Sequence, residues 1–144
     1  MSLRTPIAGV MYAVNGVISV ALGSVYLFRQ TFMPYHETAL GRSWSELAPE
    51  VQFLLEALMD VAGAGWIALG VAVLFLTAIP MRRGERWARL LVPALLLLFY
   101  VPNLLATLTV LNETAASPPW YGNAVACLTT IGAFVIDAPW RRKA

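Results

Sequence analysis

Charged side chains are scarce in this 144-residue sequence, since Lys, Arg, Asp and Glu together make up 12% of it. A soluble domain carries about twice that share of charge. Apolar residues reach 59%, and the mean hydropathy is +0.69. This balance argues against a water-soluble domain and predicts that most of the chain lies in a lipid bilayer. The length predicts one transmembrane domain over residues 1–144.

Cysteine and histidine are nearly absent, with one residue of each kind, Cys127 and His36. A single cysteine excludes an intramolecular disulfide and any chemistry that cycles a cysteine pair. A single histidine excludes bis-histidine haem and histidine-cluster iron sites within one chain. We therefore predict no metal site and no cofactor.

Four apolar stretches are each long enough to cross a bilayer. Because backbone groups in lipid must find partners within their own segment, helices are the expected form. The sequence thus predicts an all-α, integral membrane four-helix bundle, with spans over residues 6–28, 51–79, 88–111 and 119–136. Pro49 and Glu50 favour a helix start, because Pro lacks the donor that goes unpaired there and Glu suits the positive dipole end.

Basic residues are missing from the third connection, whereas they crowd the second connection and the end of the chain. By the positive-inside rule, this bias predicts that both termini and the second connection are cytoplasmic. The small size favours a bacterial inner (plasma) membrane as the host. The residues concerned are Arg82, Arg83, Arg86, Arg89, Arg141, Arg142 and Lys143. Asp137, with Arg141 and Arg142, is interpreted as a charge group at the end of the last helix.

Small residues predict close helix packing in the first half of the chain. Gly9, Gly16 and Gly23 recur every seven residues in the first span, and residues 62–65 of the second span read Ala-Gly-Ala-Gly. Small side chains let helix backbones approach closely in lipid. We expect the first two spans to pack against each other, and a dimer interface is the alternative.

The first outward loop carries the pattern Ser43-x-x-Glu46, which is typical of a capping box. It predicts a short interfacial helix over Trp44–Ala48, lying across the outer mouth of the bundle.

Two carboxylates in the second span are the most informative polar residues. Glu56 and Asp60 are four residues apart and therefore share one helix face. An ionised carboxylate near a bilayer centre costs at least about 2.5–3.5 kcal/mol. We expect Asp60 at mid-depth, sheltered between helices. The alternatives are an interfacial position for Glu56, if the span begins near Leu58, and a purely structural hydrogen-bonding role for Asp60.

Counting along the spans predicts a polar pocket that opens outward and binds a ligand. Asn15, Asp60 and Asn103 fall near the middle of the membrane, while Glu56 falls nearer the outer surface. The full set of candidate ligand-binding residues is Glu56, Asp60, Asn103, Asn15, His36, Tyr35, Asn123 and Trp120.

These features favour a non-catalytic protein that binds a lipid-like or other hydrophobic small molecule, or an accessory subunit of a membrane complex. Membrane lipid is the expected surrounding partner, a homodimer or larger complex is the other possible partner, and nucleic acid is excluded. Two alternatives remain. One is a membrane enzyme of isomerase or hydrolase type that uses the carboxylates as acid and base. The other is a proton- or cation-coupled transporter that works as an oligomer.

Overall fold

The computed structural model describes residues 4–140, and this part of the chain is all-helical, without a β-strand. The helices in chain order are α1 (Arg4–Phe28), α2 (Pro34–Leu40), α3 (Pro49–Leu76), α4 (Arg86–Glu113) and α5 (Trp120–Asp137). A 3-10 turn, Trp44–Glu46, lies between α2 and α3, and a π-helical turn, Thr77–Met81, continues α3. The predicted all-α class is therefore confirmed.

Three of these segments are long and apolar enough to cross a membrane: Arg4–Phe28, Pro49–Met81 and Arg86–Glu113. Each end lies within two residues of a predicted span, and α3 begins at Pro49 as expected. α5 matches the fourth predicted span within one residue at each end, but it has only 18 residues. The membrane character thus rests on α1, α3 and α4.

The surface of the molecule is apolar, unlike that of a soluble helical protein. Val10, Val61, Leu98 and Leu128 are 63%, 72%, 74% and 68% exposed. Exposed apolar surface on this scale marks contact with lipid or protein. The exposed faces of the long helices are therefore compatible with a bilayer as the surrounding solvent.

α1 and α3 form the closest helix pair, as predicted from their glycines. A Cβ atom added to Gly23 would lie 2.6 Å from the Gly63 carbonyl oxygen, and one added to Gly70 would lie 2.5 Å from the Gly16 oxygen. These distances are shorter than any Cβ contact allows, so the glycines are what permit the approach. Within one chain these four glycines are therefore already in contact with each other, and a homodimer stays a prediction.

The other long helices complete the bundle. α5 packs against both α1 and α4, and the buried core joins Tyr12, Trp66, Leu96 and Tyr100. The bundle has two ends. At the basic end α1 and α4 begin while α3 and α5 finish, with Arg82, Arg83, Arg86 and Arg89 close together in the chain. At the loop end lie α2 and the 3-10 turn.

The loop end differs in part from expectation. The predicted helix over Trp44–Ala48 is a 3-10 turn over Trp44–Glu46, capped by the Ser43 backbone N–H, which donates to the Glu46 carboxylate at 2.8 Å. That hydrogen bond lowers the pKa of Glu46. α2 was not predicted. The helix begins at Pro34 and ends before Gly41, which caps it with φ +64°, and both residues are typical of helix boundaries. The segment between them is too short to show a periodic pattern of apolar residues.

Candidate functional site

The structure does not bring the two predicted carboxylates of α3, Glu56 and Asp60, into the interior. Glu56 and Asp60 are both exposed. α1 and α3 run antiparallel, with Gly16 against Gly70 and Gly23 against Gly63. If the same antiparallel pairing is continued along both helices, Asp60 lies opposite Tyr26 in the last turn of α1. Glu56 then lies beyond the end of α1.

The expected position of Asp60, sheltered between helices at the level of Asn15, is therefore wrong. On the same pairing, Asp60 lies about 16 Å along the helix axis from the level of Asn15. The error arises because α3 extends about two turns past the loop end of α1, so counting from the start of each span does not give a common level. The alternative interfacial position of Glu56 agrees with this register. A ligand role for either carboxylate stays a prediction.

Asn15 does lie in the interior, in a polar network that joins three helices. Its side-chain nitrogen donates to the hydroxyl oxygens of Thr129 and Thr130, each at 3.1 Å, and to the Ala126 carbonyl at 3.4 Å. Ser19 lies one turn further along α1 and shares a 2.9 Å hydrogen bond with the Tyr100 hydroxyl. Since these groups have partners inside the protein, the network links α1 to α4 and α5 instead of facing a ligand.

Three further candidates are Asn103, which was expected near the middle of the membrane, Asn123 and Trp120. The Asn103 side chain donates to the Phe99 carbonyl within α4, at 2.8 Å. Asn123 is half-buried near the start of α5, and Trp120 is exposed with its ring edge toward Tyr121. These residues do not converge on one cavity.

Tyr35 and His36 lie together on α2, and they anchor that helix to the bundle. The hydroxyl groups of Tyr35 and Tyr26 share a 2.8 Å hydrogen bond, while the Met33 backbone N–H donates to His36 Nδ1 at 3.3 Å. Burial, followed by the bond to Tyr26, raises the pKa of Tyr35. Burial lowers the pKa of His36, so the neutral imidazole is favoured.

A cavity of about 320 Å³ lies beside these residues at the loop end. Arg29, Glu37 and Trp44 line it, and it includes none of the predicted ligand-binding residues. Trp44 thus lines a cavity, but this cavity lies among the loop segments and not between spans.

The larger cavity lies at the opposite, basic end, where sequence reasoning placed no site. It has a volume of about 590 Å³ and mostly apolar walls. Its lining residues are Thr5, Pro6, Gly9, Val10 and Ala13 of α1, Leu74 of α3, Thr77, Ala78 and Met81 of the π-helical turn, and Arg82, Gly84 and Arg89. We call it the basic-end cavity.

The basic-end cavity opens where the close approach of α1 and α3 stops. The glycine pairing that continues from Gly23 and Gly16 brings Gly9 level with Thr77, and both residues line the cavity. A Cβ atom added to Gly9 would meet no atom within 4 Å. Val10 and Ala78 line the cavity and are also exposed on the side of the bundle. The cavity therefore also opens sideways, between α1 and the π-helical turn.

The π-helical turn supplies one wall, and its cause is visible in the sequence. Pro80 has no backbone N–H and cannot donate to the carbonyl four residues earlier. The chain accommodates it by winding one wider turn, and such turns occur frequently at functional sites. The Thr77 hydroxyl donates to the Val73 carbonyl at 2.8 Å, so its polar atom faces its own helix.

A buried ion pair borders the cavity. Arg89 Nε donates to Asp137 Oδ2 at 2.7 Å, and Arg89 Nη2 donates to Oδ1 and to the Asp137 carbonyl, each at 2.9 Å. The Asp137 side chain is fully buried, whereas the Arg89 side chain is 17% exposed. The expected partners of Asp137, Arg141 and Arg142, lie outside the described residues.

The sequence contained a signal for this pair that was not used. Arg89 begins the third span and Asp137 ends the fourth, so both occupy the same end of an up-and-down bundle.

For the range that the structure covers, no three His, Cys, Asp or Glu residues are grouped so as to hold a metal ion.

Comparison of the chain with protein-family models, curated proteins and solved structures gives no match.

Proposed function

We propose that this chain is a small integral membrane protein of four spans that binds a lipid-like molecule, without catalysis, in the basic-end cavity. The observation that carries the proposal is an apolar cavity of about 590 Å³ that opens sideways between α1 and the π-helical turn. Small-molecule sites have volumes of about 300–1,000 Å³ and largely apolar walls. A sideways opening suits a ligand that arrives through the bilayer.

The proposed topology has the basic end in the cytoplasm, in a bacterial inner membrane. α5 is about 27 Å long at helical rise, which is close to the thickness of the hydrocarbon core. Its polar contacts through Thr129 and Thr130 point to Asn15, so they need not meet lipid. The arginines near α4 then satisfy the positive-inside rule.

Ligand binding is tested with Gly9→Phe, because the new side chain enters open space in the cavity instead of displacing backbone. The matched control is Gly122→Phe, at an exposed glycine of α5 whose added Cβ also meets no atom within 4 Å. Native mass spectrometry of gently extracted protein measures copurifying lipid-sized molecules. We expect the bound mass to be lost in Gly9→Phe and kept in the control. Equal retention in both variants would overturn the proposal.

Topology is tested separately by cysteine labelling in a Cys127→Ala background. Glu85→Cys marks the basic end and Ser117→Cys marks the loop end, and both original side chains are exposed. In intact cells a membrane-impermeant maleimide is expected to label Ser117→Cys only. Labelling of Glu85→Cys instead would reverse the proposed orientation.

A second candidate function is that of an accessory subunit, favoured by the exposure of Glu56 and Asp60 on α3. Two carboxylates at the outer edge of a span could meet a partner protein. Asp60→Leu should then release the chain from a larger assembly in blue-native gels, with Val61→Leu as the control. An unchanged assembly in Asp60→Leu, or no assembly at all, would remove this candidate.

A further inference from the structure

The structure assigns a chemical class to the occupant of the basic-end cavity: we infer that it is a membrane phospholipid with an anionic headgroup, whose phosphate lies between Arg82 and Arg89. This inference depends on the proposed function, because it concerns the same cavity. It adds the headgroup charge and the two side chains that select it.

Arg89 is held in a fixed orientation that leaves donors free. Its Nε and Nη2 atoms are used by Asp137, and Nη1 makes no hydrogen bond to any group in residues 4–140. A guanidinium group is planar and rigid, with donors along two edges. Because Asp137 holds one edge, the direction of the second edge is also fixed. Because Arg89 lines the cavity, the remaining Nη1 donors are available to a phosphate oxygen there.

Arg82 supplies the net charge that Arg89 cannot. Asp137 offsets the charge of Arg89, whereas Arg82 follows the π-helical turn, is exposed, and has no ion-pair partner in the described part of the chain. No Asp or Glu is found among the residues that line the cavity. The lining therefore favours an anion over a zwitterion, whose cationic group would face Arg82 as well.

The apolar walls specify the rest of the molecule. From Thr5 to Ala13 the lining of α1 extends about 12 Å along the helix axis, away from the arginines and toward the middle of the membrane. Free phosphate would leave this surface without a partner. An acyl chain along Val10 and Leu74, with a phosphate at Arg82 and Arg89, matches both parts of the cavity.

The test compares lipids in nanodiscs of equal parts phosphatidylglycerol and phosphatidylcholine, with retained lipid measured by native mass spectrometry. The variants are Arg82→Gln and Arg89→Lys. Arg83→Gln is the control, because Arg83 is an exposed neighbour that does not line the cavity and its loss changes the net charge equally.

We expect wild type and Arg83→Gln to retain phosphatidylglycerol preferentially. Arg82→Gln should lower this preference about threefold, the effect of one partly exposed charge. Arg89→Lys keeps a cation for Asp137 but loses the second edge of the fork. Because both lipids carry the phosphate that this edge contacts, it should lower the retention of each about tenfold and leave the preference unchanged. Absence of either effect, or an equal loss in Arg83→Gln, overturns the inference.

A separate arm tests the source of the phosphate. Millimolar inorganic phosphate should leave phosphatidylglycerol bound, since the apolar walls contribute to retention, and full displacement would overturn the lipid assignment. Failure of this inference is distinguishable from failure of the proposed function. If Gly9→Phe loses all lipid while Arg82→Gln keeps the wild-type preference and Arg89→Lys keeps the wild-type retention, only the headgroup assignment is wrong.

Discussion

The contact between α1 and α3 has a closed half and an open half, although one seven-residue repeat runs through both. In the closed half Gly23 meets Gly63 and Gly16 meets Gly70, with backbone atoms in contact. In the open half the next position of the repeat pairs Gly9 with Thr77, and the two helices separate around the basic-end cavity. A glycine repeat thus permits a close approach but does not enforce one.

The difference arises from the residues opposite the repeat. Gly63 and Gly70 present bare backbone, whereas Thr77 presents a branched side chain and begins the π-helical turn that Pro80 requires. Beside the open half, the ion pair between Arg89 and Asp137 ties α4 to α5. The closed half thus depends on backbone packing, whereas the helices next to the open half are joined by charge.

Breaking the ion pair should have the largest effect. Arg89→Ala leaves the fully buried Asp137 without its cation and should lower the free energy of unfolding by about 3–5 kcal/mol. Unfolding in a denaturing detergent titration measures the loss, with Arg86→Ala, an exposed arginine at the same end, as the control. A wild-type midpoint for Arg89→Ala would show that the open half does not depend on the pair.

Substituting glycines directly compares the two halves. Gly23→Ala should cost about 1–3 kcal/mol, because the added Cβ would lie 2.6 Å from a backbone oxygen that cannot move alone. Gly9→Ala meets open space and should stabilise the helix by up to about 1 kcal/mol through its higher helix propensity. The same detergent titration measures both variants, and equal shifts would contradict the division into halves.

The polar network at the middle of α1 should contribute less than either half. Asn15→Leu removes the hydrogen bonds to Thr129 and Thr130, yet the hydroxyls of both residues still donate to the Ala126 carbonyl. A loss of about 0.6 kcal/mol is expected, the average for such bonds between membrane helices. Asn103→Leu, which loses only a bond within α4, is the control and should change stability less.

The smallest expected effect is a pH dependence confined to the loop end. Burial lowers the pKa of His36, so folded protein binds fewer protons there than unfolded chain does. The docking of α2 should therefore be strongest above about pH 6.5, the ordinary pKa of histidine, and should weaken as the pH falls toward the lowered value. Protonation also removes the acceptor at Nδ1 for the Met33 N–H.

Hydrogen exchange of residues 34–40 measures this local opening, after correction for the intrinsic pH dependence of exchange. His36→Gln should abolish the additional pH dependence, while amides around Gly16 and Gly70 should show none in either protein. Faster opening at high pH would contradict the argument.

Local features of the sequence were sufficient for the helices. Hydropathy predicted the ends of the four long helices within two residues, if the π-helical turn is counted with α3, and Pro49 and the Ser43–Glu46 pair predicted the local starts. These signals depend on residues adjacent in the chain and on the cost of unpaired backbone in lipid, so no tertiary information is needed. The glycines of the closed half belong here too, because small residues alone permit a close approach.

The relative level of the helices was decided only by the tertiary structure. Asp60 was expected in the interior because each span was counted from its own start, but packing of Gly23 on Gly63 shifts α3 toward the loop end by about two turns. The same packing decides where the close contact stops, and so where the basic-end cavity opens. The partner of Asp137 was likewise decided when α4 and α5 came together. Pairings of this kind join residues far apart in the chain, and their register is set by which surfaces fit when all helices pack at once.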